Sequence, residues 1–126
     1  MDEEYALRMF LEKTLAQAEA MFREQFSLHW EDLTYMRAPA FRFYLPAAIK
    51  YLLSEDANGD ADAASTFCYV LESRLARDPA ALIPIAPAVE DAIQKILANF
   101  DRFECSPEAY GDVPSRYKAL ADKLVA

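Results

Sequence analysis

Apolar residues along this chain recur every three or four positions, in segments separated by connections rich in Asp, Asn, Pro and Gly. Leu7, Phe10, Leu11, Thr14, Ala18, Met21 and Phe22 form the first stripe and predict an amphipathic helix from about Asp2 to about Gln25. Glu4 stands four residues before Arg8, and Glu19 four before Arg23, the favoured polarity for surface pairs worth about 0.3 kcal/mol each. Asp2, Glu3 and Glu4 suit the positive end of that helix. From Phe26 to Ala38 the period is lost, because His29, Glu31, Asp32 and Arg37 interrupt Leu28, Trp30, Leu33, Tyr35 and Met36. A folded connection with a short helical turn is expected there.

The segment Phe41 to Leu53 stands out, with only Arg42 and Lys50 charged, four aromatic rings and Pro46. At helical spacing, Phe41, Tyr44, Leu45, Ala48, Ile49 and Leu52 share one face, and Phe43, Ala47 and Tyr51 form a second apolar stripe. A helix that is apolar nearly all round is surrounded by other elements. Pro39 suits a helical start. Pro46 has no amide hydrogen, so a helix beginning at its first turn and running from about Leu45 to Ser54 is expected.

Asp56-Ala57-Asn58-Gly59-Asp60 reads as a turn, after which Asp60 or Asp62 caps a helix running to about Arg77. Ala64, Phe67, Cys68, Leu71 and Leu75 are its inward stripe. Pro79, Pro84 and Pro87, with Leu82, Ile83 and Ile85 among them, predict an ordered apolar connection. A further helix spans about Pro87 to about Phe103 on Val89, Ala92, Ile93, Ile96, Leu97 and Phe100. Ser106-Pro107-Glu108 opens another turn that Gly111 interrupts, and the last helix spans about Pro114 to Val125. No strand, repeat or composition break is evident. The expectation is an all-α, compact single domain over residues 1–126, about five helices around the segment from about Leu45 to Ser54.

Composition sharpens this picture. The hydrophobic fraction of 54% suffices for a core without disulfides or metals, and two glycines are too few for a turn-rich sandwich or barrel. The formal charge of −8 repels phosphate backbones, which argues against nucleic acid as a partner. The opening Met1-Asp2-Glu3-Glu4 is unlike a secretory signal, and no apolar run approaches the roughly 20 residues needed to span a bilayer. A cytoplasmic protein without membrane association is expected, with Cys68 and Cys105 as free thiols.

Familiar chemistry is hard to assemble from these residues. There is no glycine-rich phosphate loop and no Cys-x-x-Cys, and one histidine cannot build a di-iron bundle. Ser54 to Ser65 mimics a calcium loop up to Gly59, but Ser65 stands where a bidentate Glu is needed. His29 next to Trp30, with Glu31 and Asp32 following, is a weak acid–base candidate with no nucleophile attached. No catalytic, metal or cofactor-binding residue is assigned. The acidic loop is the remaining candidate: Glu55, Asp56, Asp60 and Asp62 lie close together with no basic side chain among them, a pattern suited to docking a basic partner.

Phe41-Arg42-Phe43-Tyr44-Leu45-Pro46-Ala47, with Trp30 and Leu33 upstream, resembles the signature of an uncharacterised family of small bacterial proteins. The resemblance implies a helical, cytoplasmic, bacterial protein without an assigned activity, and carries over no site residues. Three readings of function follow. The first is a non-enzymatic protein-binding module, in one version an immunity-type protein that meets a basic partner through an acidic surface. The alternative is a helical pocket protein that holds an apolar or aromatic small molecule. The third is an enzyme built on His29 and nearby carboxylates. Homo-oligomerisation is open, since an apolar stripe can face a second copy.

Overall fold

The computed structural model describes residues 33–125, and the predicted first helix, His29, Trp30, Glu31 and Asp32 lie outside the described residues. The described chain is an all-α bundle of helices α1 (Ala38–Leu52), α2 (Ala61–Arg77), α3 (Ala86–Ala98), α4 (Pro107–Tyr110) and α5 (Val113–Val125). Short 3-10 turns at Glu55–Ala57, Pro79–Ala81, Ile83–Ile85 and Phe100–Phe103 join them, and no strand occurs among the described residues. Leu33, Thr34 and Tyr35 carry helical backbone, and the chain leaves that helix at Met36.

Helix α1 is the core element. It buries Ala40, Phe41, Tyr44, Leu45, Ala47, Ala48, Tyr51 and Leu52. Its bounds correct the expectation of a start near Leu45 and an end at Ser54. The helix begins seven residues earlier, and Pro46 lies inside it. Proline removes one amide donor, that to the carbonyl of Arg42. Pro46 is exposed, so the freed carbonyl lies towards a face that water reaches. Burial of residues on both sides of Pro46 holds the helix together across it. Phe43 also departs from expectation: it is 57% exposed rather than part of a buried stripe.

Helices α2 and α5 follow their sequence signals closely. The Asp60 carboxylate caps α2 by accepting from the Ala63 amide at 3.1 Å. Ala64, Phe67, Cys68 and Leu71 are buried on its inner face. Asp112 begins α5, accepting from the amide and hydroxyl of Ser115 at 3.2 Å and 2.8 Å. Helix α5 packs on α3 and α2. Its Tyr117 is fully buried and donates its hydroxyl to the Ala64 carbonyl at 2.5 Å. Helix α3 stops at Ala98, and Phe100–Phe103 continues as a 3-10 turn where one longer helix is expected. The proline-rich connection folds as two 3-10 turns that bury Ala81 and Leu82 completely.

Two arginines tie α2 to the segment before α1. Thr34 lies in the last turn of a helix, where carbonyls lack intrahelical donors. Arg74 donates to the carbonyls of Thr34 and Met36 at 2.8 Å and 2.6 Å, and Arg77 donates to Thr34 at 2.6 Å. Arg74 is only 2% exposed, lies 4.4 Å over the Phe41 ring and meets Asp78 at 3.4 Å.

Burial also sets an alkaline limit. It pushes the Cys68 thiol up to about 12, aided by the negative charge of Glu72, and holds the Tyr117 phenol well above its ordinary value. An unfolded cysteine loses its proton near pH 8.5. The folded thiol keeps its proton, so its contribution is complete below that pH and is lost as pH rises towards about 12. Stability should fall above about pH 8.5, with a slope approaching 1.4 kcal/mol per pH unit for each such group. Urea midpoints measured from pH 8 upward read this directly. A Cys68→Ala chain should decline less steeply; an unchanged slope would mean that Cys68 is not held protonated.

Candidate functional site: an acidic end

The four acidic residues singled out in the sequence share one end of the α1–α2 pair, and their environments differ. Glu55 and Asp56 sit exposed on the 3-10 turn that follows α1. Asp60 is half-buried and committed to its own chain: it caps α2 and accepts the Tyr51 hydroxyl. Asp62 is exposed in the first turn of α2, a favourable place for a carboxylate at the positive helix end. It accepts the Tyr110 hydroxyl, and that bond is the main reason the Tyr110 phenol titrates above its ordinary value.

A second acidic stretch, about 40 residues further along, joins the same end. The Gly59 amide donates to the Arg102 carbonyl at 2.8 Å, and Tyr110 reaches back to Asp62. These bonds bring the stretch from Arg102 to Tyr110, which carries Glu104 and Glu108 and is flanked by Asp101 and Asp112, against the loop of Glu55, Asp56, Asp60 and Asp62. Glu108 and Asp112 titrate below the usual carboxylate range: Glu108 through its own backbone amide and then the Ser106 hydroxyl, Asp112 through the hydroxyl and amide of Ser115. Sequence reasoning missed this second stretch. Its signal was the density of acids at 101–112, but only the chain path makes it a neighbour of the first loop.

One cation lies within these two stretches, and it points inward. Arg102 donates to the Ser54 carbonyl at 3.0 Å, to the Asn58 side-chain oxygen at 2.8 Å and to the Leu52 carbonyl. Its guanidinium also stacks on Phe103 at 4.2 Å. It therefore supplies donors to the carboxyl end of α1, as basic groups do at helix ends. Removing it with Arg102→Met should cost about 1.5–3 kcal/mol, the range for hydrogen bonds made by a charged group. Urea denaturation measures the loss, and hydrogen exchange at 54–59 should rise at the same time. An unchanged midpoint would sink the anchoring role.

Gly59 and Glu104 shape the close approach. Gly59 has a φ of +79°, and a Cβ there would stand 3.0 Å from the Glu104 carboxylate. Glu104 itself is left-handed at φ 55°.

Open clefts line the remaining surface. One open cleft of about 360 Å³ lies between α2 and α5, and the Glu72–Arg116 pair crosses it at 2.5 Å. Another, of about 480 Å³, is walled by Tyr35, Arg37, Arg74 and Arg77. Arg74 and Arg77 already bond the carbonyls of Thr34 and Met36. Cys68 is buried and Cys105 half-buried, and both are free thiols. Among the described residues no cluster of three or more His, Cys, Asp or Glu side chains could hold a metal ion, and no described helix is long and apolar enough to cross a membrane. Compared with known protein families, curated proteins and solved structures, the chain matches none.

Proposed function

We propose that this protein is a cytoplasmic, non-enzymatic binding module that docks a basic protein through its acidic end. The observation that carries this reading is the charge balance there. The two stretches hold Glu55, Asp56, Asp60, Asp62, Asp101, Glu104, Glu108 and Asp112 against one basic side chain of their own, Arg102, which spends its donors on backbone carbonyls and Asn58; Lys118 of α5 lies near Asp112. Such a field speeds encounter with a basic surface and disfavours acidic competitors. An immunity-type protein that neutralises a basic toxin is one version of this role.

The test is affinity capture from the native cytoplasm at low and moderate salt, read by quantitative mass spectrometry. It is run beside a chain carrying Asp56→Asn, Asp101→Asn, Glu104→Gln and Glu108→Gln. A basic protein bound near stoichiometry by the natural chain should be lost with the neutralised chain. It should also be lost with added salt, since the screening length is about 10 Å at 0.1 M. The captured protein, purified, should show the same difference in a direct titration. Equal capture by both chains would overturn the reading.

A further inference from the structure

Asn58 is followed by Gly59, the pairing in which an asparagine side chain closes most readily on the backbone. Glycine has no Cβ to obstruct the approach. In an unrestrained chain the Gly59 nitrogen gives up its proton to hydroxide and attacks Cγ of Asn58. A new C–N bond closes a cyclic imide, the Cγ–Nδ2 bond breaks, and ammonia leaves with a proton from water, which regenerates the hydroxide. Water then opens the imide at one of its two carbonyls. One opening leaves aspartate. The other leaves isoaspartate, with an extra methylene in the main chain.

The fold holds this pair back from that reaction, although Asn58 and Gly59 are both exposed. Asn58 has φ −59° and ψ 128°, Gly59 has φ +79°, and the Asp60 amide donates to the Ala57 carbonyl at 3.0 Å. These are the marks of a type II turn, which calls for glycine at its third position. Ring closure needs the Gly59 nitrogen eclipsed with the Cβ of Asn58. At ψ 128° the two are swung well apart about the Cα–C bond. The nucleophile is also occupied: the Gly59 amide donates to the Arg102 carbonyl at 2.8 Å, and losing its proton would forfeit that bond. The electrophile is held by the same residue, whose guanidinium donates to Oδ1 of Asn58 at 2.8 Å. Bonds to the carbonyls of Ser54 and Leu52 fix that guanidinium in place.

We propose that Asn58–Gly59 is a self-modification site that Arg102 keeps closed. Deamidation waits for the turn from Ala57 to Asp60 to open. The isoaspartate it leaves then moves the Gly59 amide off the Arg102 carbonyl and loosens the tie between the two acidic stretches. This inference stands apart from the docking reading, and its readout needs no partner.

The full chain is incubated at pH 8 under native conditions and, in parallel, in denaturing urea. Peptide mass spectrometry follows the conversion of Asn58, and labelling by an isoaspartyl methyltransferase counts the isoaspartate. Native conditions should slow the reaction at least about tenfold, because a site reached by local opening reacts only in its open fraction. Arg102→Met should speed the native reaction about tenfold, through loss of the charged donor that closes the turn. Arg102→Lys should fall between the two, and it serves in place of the methionine chain if that chain folds poorly. Leu45→Ala is the control for general instability: it weakens the core and leaves the turn intact, so its rate should match that of the natural chain. A natural chain that converts as fast natively as in urea overturns the proposal. So does an Arg102→Met chain that is no faster than the natural one, or whose gain Leu45→Ala equals, since the gate would then be global unfolding.

Discussion

Replacing Arg74 with leucine should destabilise the protein by about 3–5 kcal/mol, the loss of two hydrogen bonds from a charged donor to carbonyls at about 1.5–3 kcal/mol each. Arg74 is 2% exposed, and the residues whose carbonyls it bonds, Thr34 and Met36, are 4% and 1% exposed. Leucine fills part of the volume but leaves those carbonyls short of a donor, and each orphaned buried group costs about 1–3 kcal/mol. The contact with Phe41 at 4.4 Å goes as well. Arg77 still reaches Thr34 at 2.6 Å, which limits the loss at that carbonyl. At about 4 °C per kcal/mol for a chain of this size, the melting temperature should fall by 10 °C or more. Arg74→Lys should recover only part of this, because a single ammonium cannot reproduce the planar fork of guanidinium donors. Thermal and urea unfolding of both variants measure it. A leucine variant as stable as the natural chain would mean that the arginine clamp contributes nothing net.

Leu45→Ala should cost about 2–5 kcal/mol, and Ile49→Ala distinctly less. The sequence pattern places both on the same apolar stripe. In the fold Leu45 is 1% exposed in the central cluster, while Ile49 is only partly buried at its margin. A cavity left at Leu45 is walled on every side, so the surroundings cannot collapse into it, whereas water and neighbouring side chains can relax around Ile49. Urea midpoints for the two variants decide the point. Equal losses would mean that α1 sits with a different face towards the core.

This contrast shows where sequence reading runs out. The inward stripes of α2, α3 and α5 were legible because each helix has one apolar side, so its rotation follows from its pattern. A cap at Asp60 or Asp62, which the structure resolves to Asp60, and the turn at Ser106-Pro107 were legible for a similar reason: local side chains satisfy local amides. Helix α1 is apolar on almost every side, so its pattern named the core element without naming its outward face. The exposure of Phe43 and Leu53 is the direct consequence. Pro46 misled for a different reason. A local rule predicts a helix start, but burial of Phe41, Tyr44, Leu45, Ala47 and Ala48 around it outweighs one missing hydrogen bond.

The candidate site divides in the same way. Glu55, Asp56, Asp60 and Asp62 were visible as a run of like charge. Their partition into exposed groups and a half-buried cap was not, because it depends on Tyr51 and on the course of the chain around Gly59. The second acidic stretch became part of the site through the Gly59–Arg102 and Tyr110–Asp62 bonds, which span more than 40 residues.

By itself, then, the sequence determined the all-helical class, the identity of the central segment, a capping carboxylate at 60 or 62 and the acidic character of one loop. These depend on periodicity and on contacts within a few residues. Tertiary structure alone decided that Pro46 is spanned, that Arg74 is buried, that Arg102 turns inward and that one face of α1 remains apolar and open. Each of those depends on which distant residues share a neighbourhood, and that is settled only when the helices pack.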